Sequence, residues 1–202
     1  MLRSIRWIAF GLIAAILAGW GVVWLRQSGI DGVGMATPGG VLVGGPFALT
    51  DTKGAAVTDT TYRGRWMLVY FGYTFCPDVC PTELQTVAAA LDRLGPRAAS
   101  VAPLFITIDP ERDTVAILAD YVKLFDDRLV GLTGTTAQID AAARAYRVYY
   151  AKTTPKDSTS YLMDHSSFLY LMGPDGRFRA LFRPGTTAQE LADAILARIG
   201  AS

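Results

Sequence analysis

The chain has 202 residues, of which 51% are hydrophobic, and it carries 19 basic and 18 acidic side chains. This length and apolar content allow one hydrophobic core of ordinary domain size. A net charge this close to zero, without a basic field, excludes the composition typical of a nucleic-acid-binding protein.

The sequence of residues 1–26 predicts a cytoplasmic tail followed by a transmembrane anchor. Trp7 to Leu25 form an uncharged run that is long enough, as a helix, to cross roughly 30 Å of hydrocarbon. Arg3 and Arg6 precede this run and only Arg26 follows it closely, so the positive-inside rule places the tail in the cytoplasm. A cleaved signal peptide fits less well because the run is too long and no small-residue cleavage site follows it. The absence of an Arg- and Ser-rich transit peptide favours a bacterial plasma membrane, with the soluble domain on the outer, periplasmic side.

Residues 27–45 are rich in glycine and poor in large apolar side chains, which predicts a flexible linker. The remaining residues, 46–202, then form one domain outside the cell membrane. It opens with a predicted hairpin that turns at Asp51 to Gly54. Because an outward compartment is oxidising, a cysteine pair there can form a disulfide unless a reductant or a metal ion prevents it.

The pattern of apolar residues that follows the hairpin predicts a β-α-β unit. Trp66 to Tyr73 is a continuous apolar run, as expected for a strand buried on both faces. Apolar residues then recur at helical spacing, with Pro81 in the first turn and Gly95 after the last. The segment VAPLFITID supplies a second buried strand.

The rest of the chain predicts two further helices, then two strands and a closing helix. The helices start at Asp113 and Thr135 and are separated by the turn-like segment DDRLVGLTG. The strands lie in SFLYLMGPDGRFRALF and are joined by Gly173 to Gly176; the last helix is TTAQELADAILARI. This order predicts an α/β, thioredoxin-like domain with a helical insertion.

Both cysteines of the chain, Cys76 and Cys80, follow the first buried strand. A spacing of four brings them to the same side of a helical turn, within disulfide range. Because Pro81 makes Cys80 a candidate helix N-cap, we expect the helix start to lower the pKa of both thiols. A disulfide closing so short a loop would stabilise the fold weakly. The position at the carboxyl end of a central strand, where ligands bind in α/β sheets, indicates a functional pair.

Thiolates serve disulfide exchange or the binding of a soft metal ion, and the single histidine favours the metal. His165 lies in the loop before SFLYLM, where thiol oxidoreductases of this fold carry a cis-proline that this chain lacks. Cys76, Cys80 and His165 suit Cu(I), or Cu(II) if an oxygen ligand joins them. Zinc would accept the same ligands, but no general base for a reactive zinc site is evident nearby.

Neighbouring residues have several interpretations. Asp78 is either a helix-start acid or a group that tunes the metal, and Asp164 is a candidate acceptor that orients the imidazole of His165. Other neighbours are expected to be structural: Met163 and Met172 as core residues, Asp109 to Asp113 as loop and cap residues, Tyr73 and Phe75 as a shield for the site.

From about Gly44 to its end, the sequence resembles the Sco/SenC family of membrane-anchored copper proteins that assist cytochrome c oxidase assembly. The resemblance runs through GGPFALTD, LVYFGYTFCPDVCPTEL, ITIDPERDT, GLTGT, YRVYY and DHSSFLYLMGPDG. It implies a thioredoxin-like fold and copper held by Cys76, Cys80 and His165. It also implies delivery to the copper-bearing subunit of cytochrome c oxidase, at its dinuclear centre. Some members of the family instead reduce the cysteines of that centre.

Two functions therefore stay open. A metallochaperone would bind one copper ion and pass it on, with the oxidase subunit, other copper chaperones or thiol reductants as partners. A thiol-disulfide oxidoreductase would use Cys76 and Cys80 as a redox pair and would not need His165. A peroxidase-like thiol enzyme fits less well because both cysteines share one loop, which leaves no separated resolving thiol.

Overall fold

The structure is a computed structural model that describes residues 43–156 and 160–200. Within that part of the chain, no helix has both the length and the apolar character needed to cross a membrane. The anchor predicted in residues 1–26, and nearly all of the linker predicted in 27–45, lie outside the described residues.

The described residues form a seven-stranded sheet, a separate hairpin and four α-helices. In chain order the strands are β1 (Ala48–Asp51), β2 (Ala56–Thr58), β3 (Trp66–Gly72), β4 (Val101–Thr107), β5 (Val130–Thr133), β6 (Tyr150–Thr153), β7 (Leu162–His165), β8 (Leu169–Met172) and β9 (Phe178–Phe182). The helices are α1 (Val79–Leu94), α2 (Val115–Lys123), α3 (Thr136–Tyr146) and α4 (Ala188–Ile199), with 3-10 helices at Asp59–Tyr62 and Gly95–Ser100. The sheet has the order β2-β1-β5-β4-β3-β8-β9, and β6 pairs, among the strands that the structure describes, only with β7.

The predicted β-α-β unit forms the centre of the domain. Strands β3 and β4 run parallel, and every residue of both is buried, which explains their unbroken apolar sequences. Helix α1 connects them, buries Leu84, Val87 and Leu91, and packs beside α4. The core is therefore built around the strand that leads into the cysteine motif.

The other predicted helices and the two predicted hairpins are also present. Thr114, Thr135 and Thr187 cap α2, α3 and α4 by accepting a hydrogen bond from a backbone N–H of the first turn. Strands β1 and β2 pair across the turn at Asp51, and β8 pairs antiparallel with β9. The thioredoxin-like α/β arrangement expected from the sequence is thus confirmed.

Two segments differ from the sequence prediction. The segment DDRLVGLTG is not only a turn, because its residues Val130–Thr133 form β5, between β1 and β4. Gly131, which signals a turn in the sequence, lies where a Cβ would come within 2.7 Å of the side chain of Leu118 on α2. The predicted loop before β8 contains β7, and His165 is the last residue of that strand.

Candidate metal centre

The cysteine loop, defined as residues 73–78, joins the carboxyl end of β3 to α1. Helix α1 begins at Val79 with Asp78 at the N-cap position, so the prediction of Cys80 as the N-cap is wrong. The backbone N–H of Thr82 donates to the Asp78 carbonyl at 3.4 Å, which starts the helix two residues earlier than expected. Pro81 fits because no backbone N–H of the first turn needs an intrahelical acceptor.

The fold brings together the three residues predicted as ligands. The sulfurs of Cys76 and Cys80 and a ring nitrogen of His165 all lie within 4.8 Å of one another. The Cys80 Sγ is 3.5 Å from His165 Nε2, and the backbone N–H of Cys80 donates to the Cys76 Sγ at 3.4 Å. Neither Cys76 nor Cys80 forms a disulfide. Three donor atoms therefore face a common point from two separate segments of the chain.

The imidazole of His165 is held by its own hairpin and by two aromatic rings. Nδ1 lies 3.3 Å from the carbonyl oxygen of Ser166, and Nε2 lies on the side of the sulfurs. The rings of Tyr70 and Tyr73 meet the imidazole edge-on, with centroids 6.3 and 5.9 Å away. These contacts direct Nε2 toward the cysteines.

The two thiols differ in acidity. A hydrogen bond from the Cys80 thiol is the main influence that lowers the pKa of Cys76 to about 4, helped by His165 and the backbone N–H groups of Asp78 and Cys80. Burial instead raises the pKa of Cys80 far above its ordinary value, and the charge on Cys76 adds to this effect. The expectation of a low pKa for both thiols is thus wrong for Cys80, because its sulfur is buried in the core although the residue stands in the first turn of α1.

Cys80 is fully buried against β3. A Cβ on Gly72 would lie 2.8 Å from the Cys80 Sγ and 2.7 Å from the Phe105 ring, so only glycine leaves room for the sulfur. The hydroxyl of Tyr70 donates to the same sulfur at 3.7 Å. The glycine at position 72 therefore allows the sulfur of Cys80 to be buried against β3.

The residues predicted around the site occupy different surroundings. Asp78 and Asp164 are exposed and line, with Cys76 and His165, an open cavity of about 270 Å³ between the cysteine loop and the hairpin. Met163 and Met172 are buried, as expected for core residues. Tyr73 is also buried against the imidazole, whereas Phe75 remains 53% exposed.

The segment DPERD, expected to supply loop and cap residues, also supports the cysteine loop. Asp113 is fully buried and accepts hydrogen bonds from the Thr74 N–H at 3.0 Å, from the Thr74 hydroxyl at 2.6 Å and from the Thr107 hydroxyl at 2.6 Å. Arg112, which the sequence analysis did not single out, lies beside Tyr73, Phe75 and Tyr161. In the sequence, the position of this segment at the end of the second predicted strand indicated only loop and cap residues.

Two sulfurs and one imidazole nitrogen form a donor set that a soft metal ion prefers. Cys76 is already a thiolate at neutral pH, whereas Cys80 must release a proton when a metal ion binds. The arrangement can therefore hold one metal ion, or allow the two thiols to exchange with a disulfide. Both uses depend on the same pair of sulfurs.

Comparison with known proteins identifies the family. The SCO1/SenC family model matches residues 35–200. The human protein "SCO1 homolog, mitochondrial" is 47% identical over 156 residues, which cover 76% of this chain and 52% of the human protein. The chain thus spans about half the length of this curated relative.

Two solved structures share both fold and sequence with the chain. Copper-bound ScoI of Arabidopsis thaliana is 43% identical and superposes with a TM-score of 0.75, over 79% of this chain and 99% of the other. Copper-bound ScoI of Bradyrhizobium japonicum is 46% identical, with a TM-score of 0.70, over 77% of this chain and 98% of the other. Since the family model matches most of the sequence and these relatives share its fold, the chain belongs to the SCO1/SenC family.

Proposed function

We propose that the chain binds one copper ion through Cys76, Cys80 and His165 and delivers it to the dinuclear copper centre of cytochrome c oxidase. The observation that carries this proposal is the convergence of two sulfurs and one imidazole nitrogen within 4.8 Å. Thiolate ligands select soft ions such as Cu(I) over the harder divalent ions. The copper-bound structures of similar proteins support the same choice of metal.

The position of the site suits transfer of the ion. Cys76 and His165 are half-buried and border an open cavity, so a partner's ligands can reach them from solvent. Cys80 is buried and would be the last donor to release copper. Delivery then proceeds by ligand exchange, with the partner replacing the two accessible donors before the buried one.

The proposed function includes the cellular localisation of the chain. The apolar run of Trp7 to Leu25 anchors the chain in a bacterial plasma membrane, and residues 46–202 lie on the outer, periplasmic side. The copper-bearing subunit of the oxidase is the proposed recipient. Other copper chaperones or thiol reductants are the proposed donors of copper and of electrons.

A competition titration tests the metal-binding part of this proposal. The full chain in detergent, reduced and kept anaerobic, should take up one Cu(I) from a chromogenic Cu(I) chelator. Cys76→Ser should abolish this tight binding, and His165→Ala should weaken it at least about tenfold, which corresponds to about 1.4 kcal/mol. Unchanged Cu(I) affinity in His165→Ala would show that the imidazole is not a ligand.

A thiol-disulfide oxidoreductase is the second candidate, favoured by the unequal acidity of the two thiols. The Cys76 thiolate would attack a disulfide of the partner and form a mixed disulfide, which releases one partner thiolate. Cys80, after losing its proton, would attack Cys76, releasing the second partner thiolate and leaving this chain oxidised. The test is the rate at which the chain reduces an oxidised two-cysteine peptide. Equal rates for the wild type and His165→Ala, together with no Cu(I) binding by the wild type, would favour this function.

A further inference from the structure

The hairpin that carries His165 lies outside the main sheet. Strands β6 and β7, each of four residues, pair with each other and, among the described strands, with no other. Only three residues separate His165 from β8. Three residues also separate α3 from β6, so the end of the hairpin at His165 is joined to the domain through both strands, and side-chain contacts hold the end at Tyr161.

Arg112, in the loop between β4 and α2, supplies several of these contacts. Its Nη1 donates to the carbonyl oxygen of Tyr161 at 3.0 Å, and its guanidinium carbon lies 3.8 Å from the centroid of the Tyr161 ring. Its Nε donates to the buried carboxylate of Asp109, which also accepts a hydrogen bond from the Tyr161 hydroxyl at 2.9 Å. Arg112, Asp109 and Tyr161 therefore form a closed set of contacts at the start of β7.

The same guanidinium also contacts the cysteine loop. Its central carbon lies 4.8 Å from the centroid of Phe75, the residue before Cys76, and 5.8 Å from that of Tyr73. The next residue, Asp113, accepts both hydrogen bonds from Thr74. Arg112 thus lies between the segment that carries Cys76 and the segment that carries His165.

We propose that Arg112 is a positioning residue of the metal centre: by packing between Tyr161 and Phe75, it holds the hairpin so that the imidazole of His165 stays close to the two sulfurs. The role of the centre in binding copper rests on the proposed function. The placement of the imidazole does not, because the contacts that carry it are formed by the chain alone.

The shape of the guanidinium distinguishes this role from simple charge pairing. Among the described residues, the buried Nη2 of Arg112 has no hydrogen-bond partner, so that side of the group contacts them through packing. A flat guanidinium stacks on aromatic rings and donates through two nitrogens at once, whereas an ammonium is a compact point charge. Lysine at position 112 can still pair with Asp109 but cannot hold both rings in the same way.

The first experiment observes the imidazole without metal. The chain contains one histidine, so selective ¹³C labelling of histidine in the reduced full chain, in detergent, gives NMR signals from the His165 ring alone. In the wild type, the nuclear Overhauser effect between the His165 and Tyr73 rings should be strong because their centroids are 5.9 Å apart. It should fall at least about twofold in Arg112→Ala and by a smaller amount in Arg112→Lys.

Arg128→Ala is the matched control, since Arg128 pairs with Asp126 and with Asp92, which lies on α1 twelve residues after Cys80 along the chain. Its His165–Tyr73 signal should equal that of the wild type. The second readout is the rate at which the Cu(I)-loaded full chain loses copper to a strong chelator. This rate should rise about tenfold in Arg112→Ala, less in Arg112→Lys and not at all in Arg128→Ala.

The outcomes separate the two proposals. An unchanged His165–Tyr73 signal in both Arg112 variants would overturn the positioning role, even if their melting temperatures fall. A wild-type signal and release rate in Arg112→Lys would overturn the role of stacking, since charge alone would then suffice. A wild-type chain that binds no Cu(I) would refute the proposed function, and the metal-free measurement would still decide the role of Arg112. If Arg112→Ala does not fold, the comparison of Arg112→Lys with Arg128→Ala gives the same decision.

Discussion

The Sγ of Cys80 lies 3.5 Å from the Nε2 of His165, although 85 positions separate the two residues in the chain. Cys80 stands in the first turn of α1, whereas His165 ends a strand that is not part of the main sheet. The metal centre is therefore formed by folding and not by local sequence.

The reactivity of Cys76 should be almost independent of pH above about 6, because a thiol with a pKa of about 4 is then fully ionised. We expect a nearly constant rate of iodoacetamide alkylation from about pH 6 to 9 in the reduced, metal-free chain, with Cys80 unmodified. Peptide mass spectrometry identifies the labelled residue. A rate that rises about tenfold per pH unit between 6 and 8 would contradict the low pKa.

The same assay should identify Cys80 as the cause. Cys80→Ala removes the side-chain hydrogen bond that contributes most to lowering the pKa of Cys76, so the midpoint of the alkylation profile should move to higher pH. Cys80→Ser is the matched variant, since a hydroxyl can still donate, and its midpoint should lie nearer that of the wild type. Equal profiles for the two variants would rule out the hydrogen bond as the cause.

Gly72→Ala should disturb the metal centre from the side of the core, where β3 contacts Cys80. The added methyl group would lie 2.8 Å from the Cys80 Sγ and must displace it or the neighbouring Phe105 ring. We expect the free energy of unfolding to fall by roughly 1–3 kcal/mol, as is usual for overpacking, and Cu(I) affinity to fall with it. Gly200→Ala is the control because, in the part of the chain that the structure describes, its methyl group would meet only the Leu196 carbonyl, at 3.4 Å. Wild-type Cu(I) affinity in Gly72→Ala would show that the sulfur has free space.

The stability of the domain should depend on the ionisation of Asp113. Burial raises the pKa of this carboxyl above the ordinary value of 3.8, and the charge of Asp109 adds to the effect. The folded chain therefore binds this proton more tightly than the unfolded chain. The contribution of Asp113 to stability is fully present below pH 3.8 and is lost as the pH rises through the pKa of the folded state.

Asp113→Asn provides the measurement, since asparagine cannot ionise. The free energy of unfolding of the wild type relative to this variant, followed by circular dichroism in urea, should decrease as the pH rises from about 3 to 7. The difference isolates Asp113 from other acids that titrate in both chains. A difference that stays constant or increases with pH would contradict the raised pKa.

The apolar side chains that α1 buries in the core should contribute strongly to the free energy of unfolding. Leu84 is fully buried in the core, so Leu84→Ala should lower the free energy of unfolding by about 2–5 kcal/mol. Leu124 is 77% exposed, and Leu124→Ala should change it by less than about 0.5 kcal/mol. Denaturant unfolding of both variants tests this prediction, and similar losses in the two would show that the helix does not depend on this contact.

The parts of the fold that were predictable share a strong local pattern. Strands β3 and β4 are continuous apolar runs, and α3 and α4 each have a threonine at the N-cap position, followed three residues later by glutamine or glutamate. Strand β5 lacked such a pattern because its four residues include Gly131, whose lack of a side chain serves the packing of Leu118. Short strands that depend on a neighbouring strand cannot be recognised from local sequence.

The centre was predictable in its ligands but not in their chemistry. The residue types and positions of Cys76, Cys80 and His165 pointed to one site, and the structure brings their donor atoms together. The opposite pKa shifts of the two thiols could not be foreseen, because burial of Cys80 against Gly72 depends on the packed core. The contacts of Arg112 were missed for the same reason, since Tyr161 is 49 residues away along the chain.

The most direct test of the central claim is the X-ray absorption spectrum of the full chain loaded with one Cu(I). Because His165 is the only histidine of the chain, any imidazole contribution to the copper spectrum of the isolated protein comes from that residue. We predict sulfur neighbours together with the multiple scattering typical of one imidazole, and loss of the imidazole contribution in His165→Ala. A wild-type spectrum with sulfur neighbours and no imidazole would contradict the proposed ligand set.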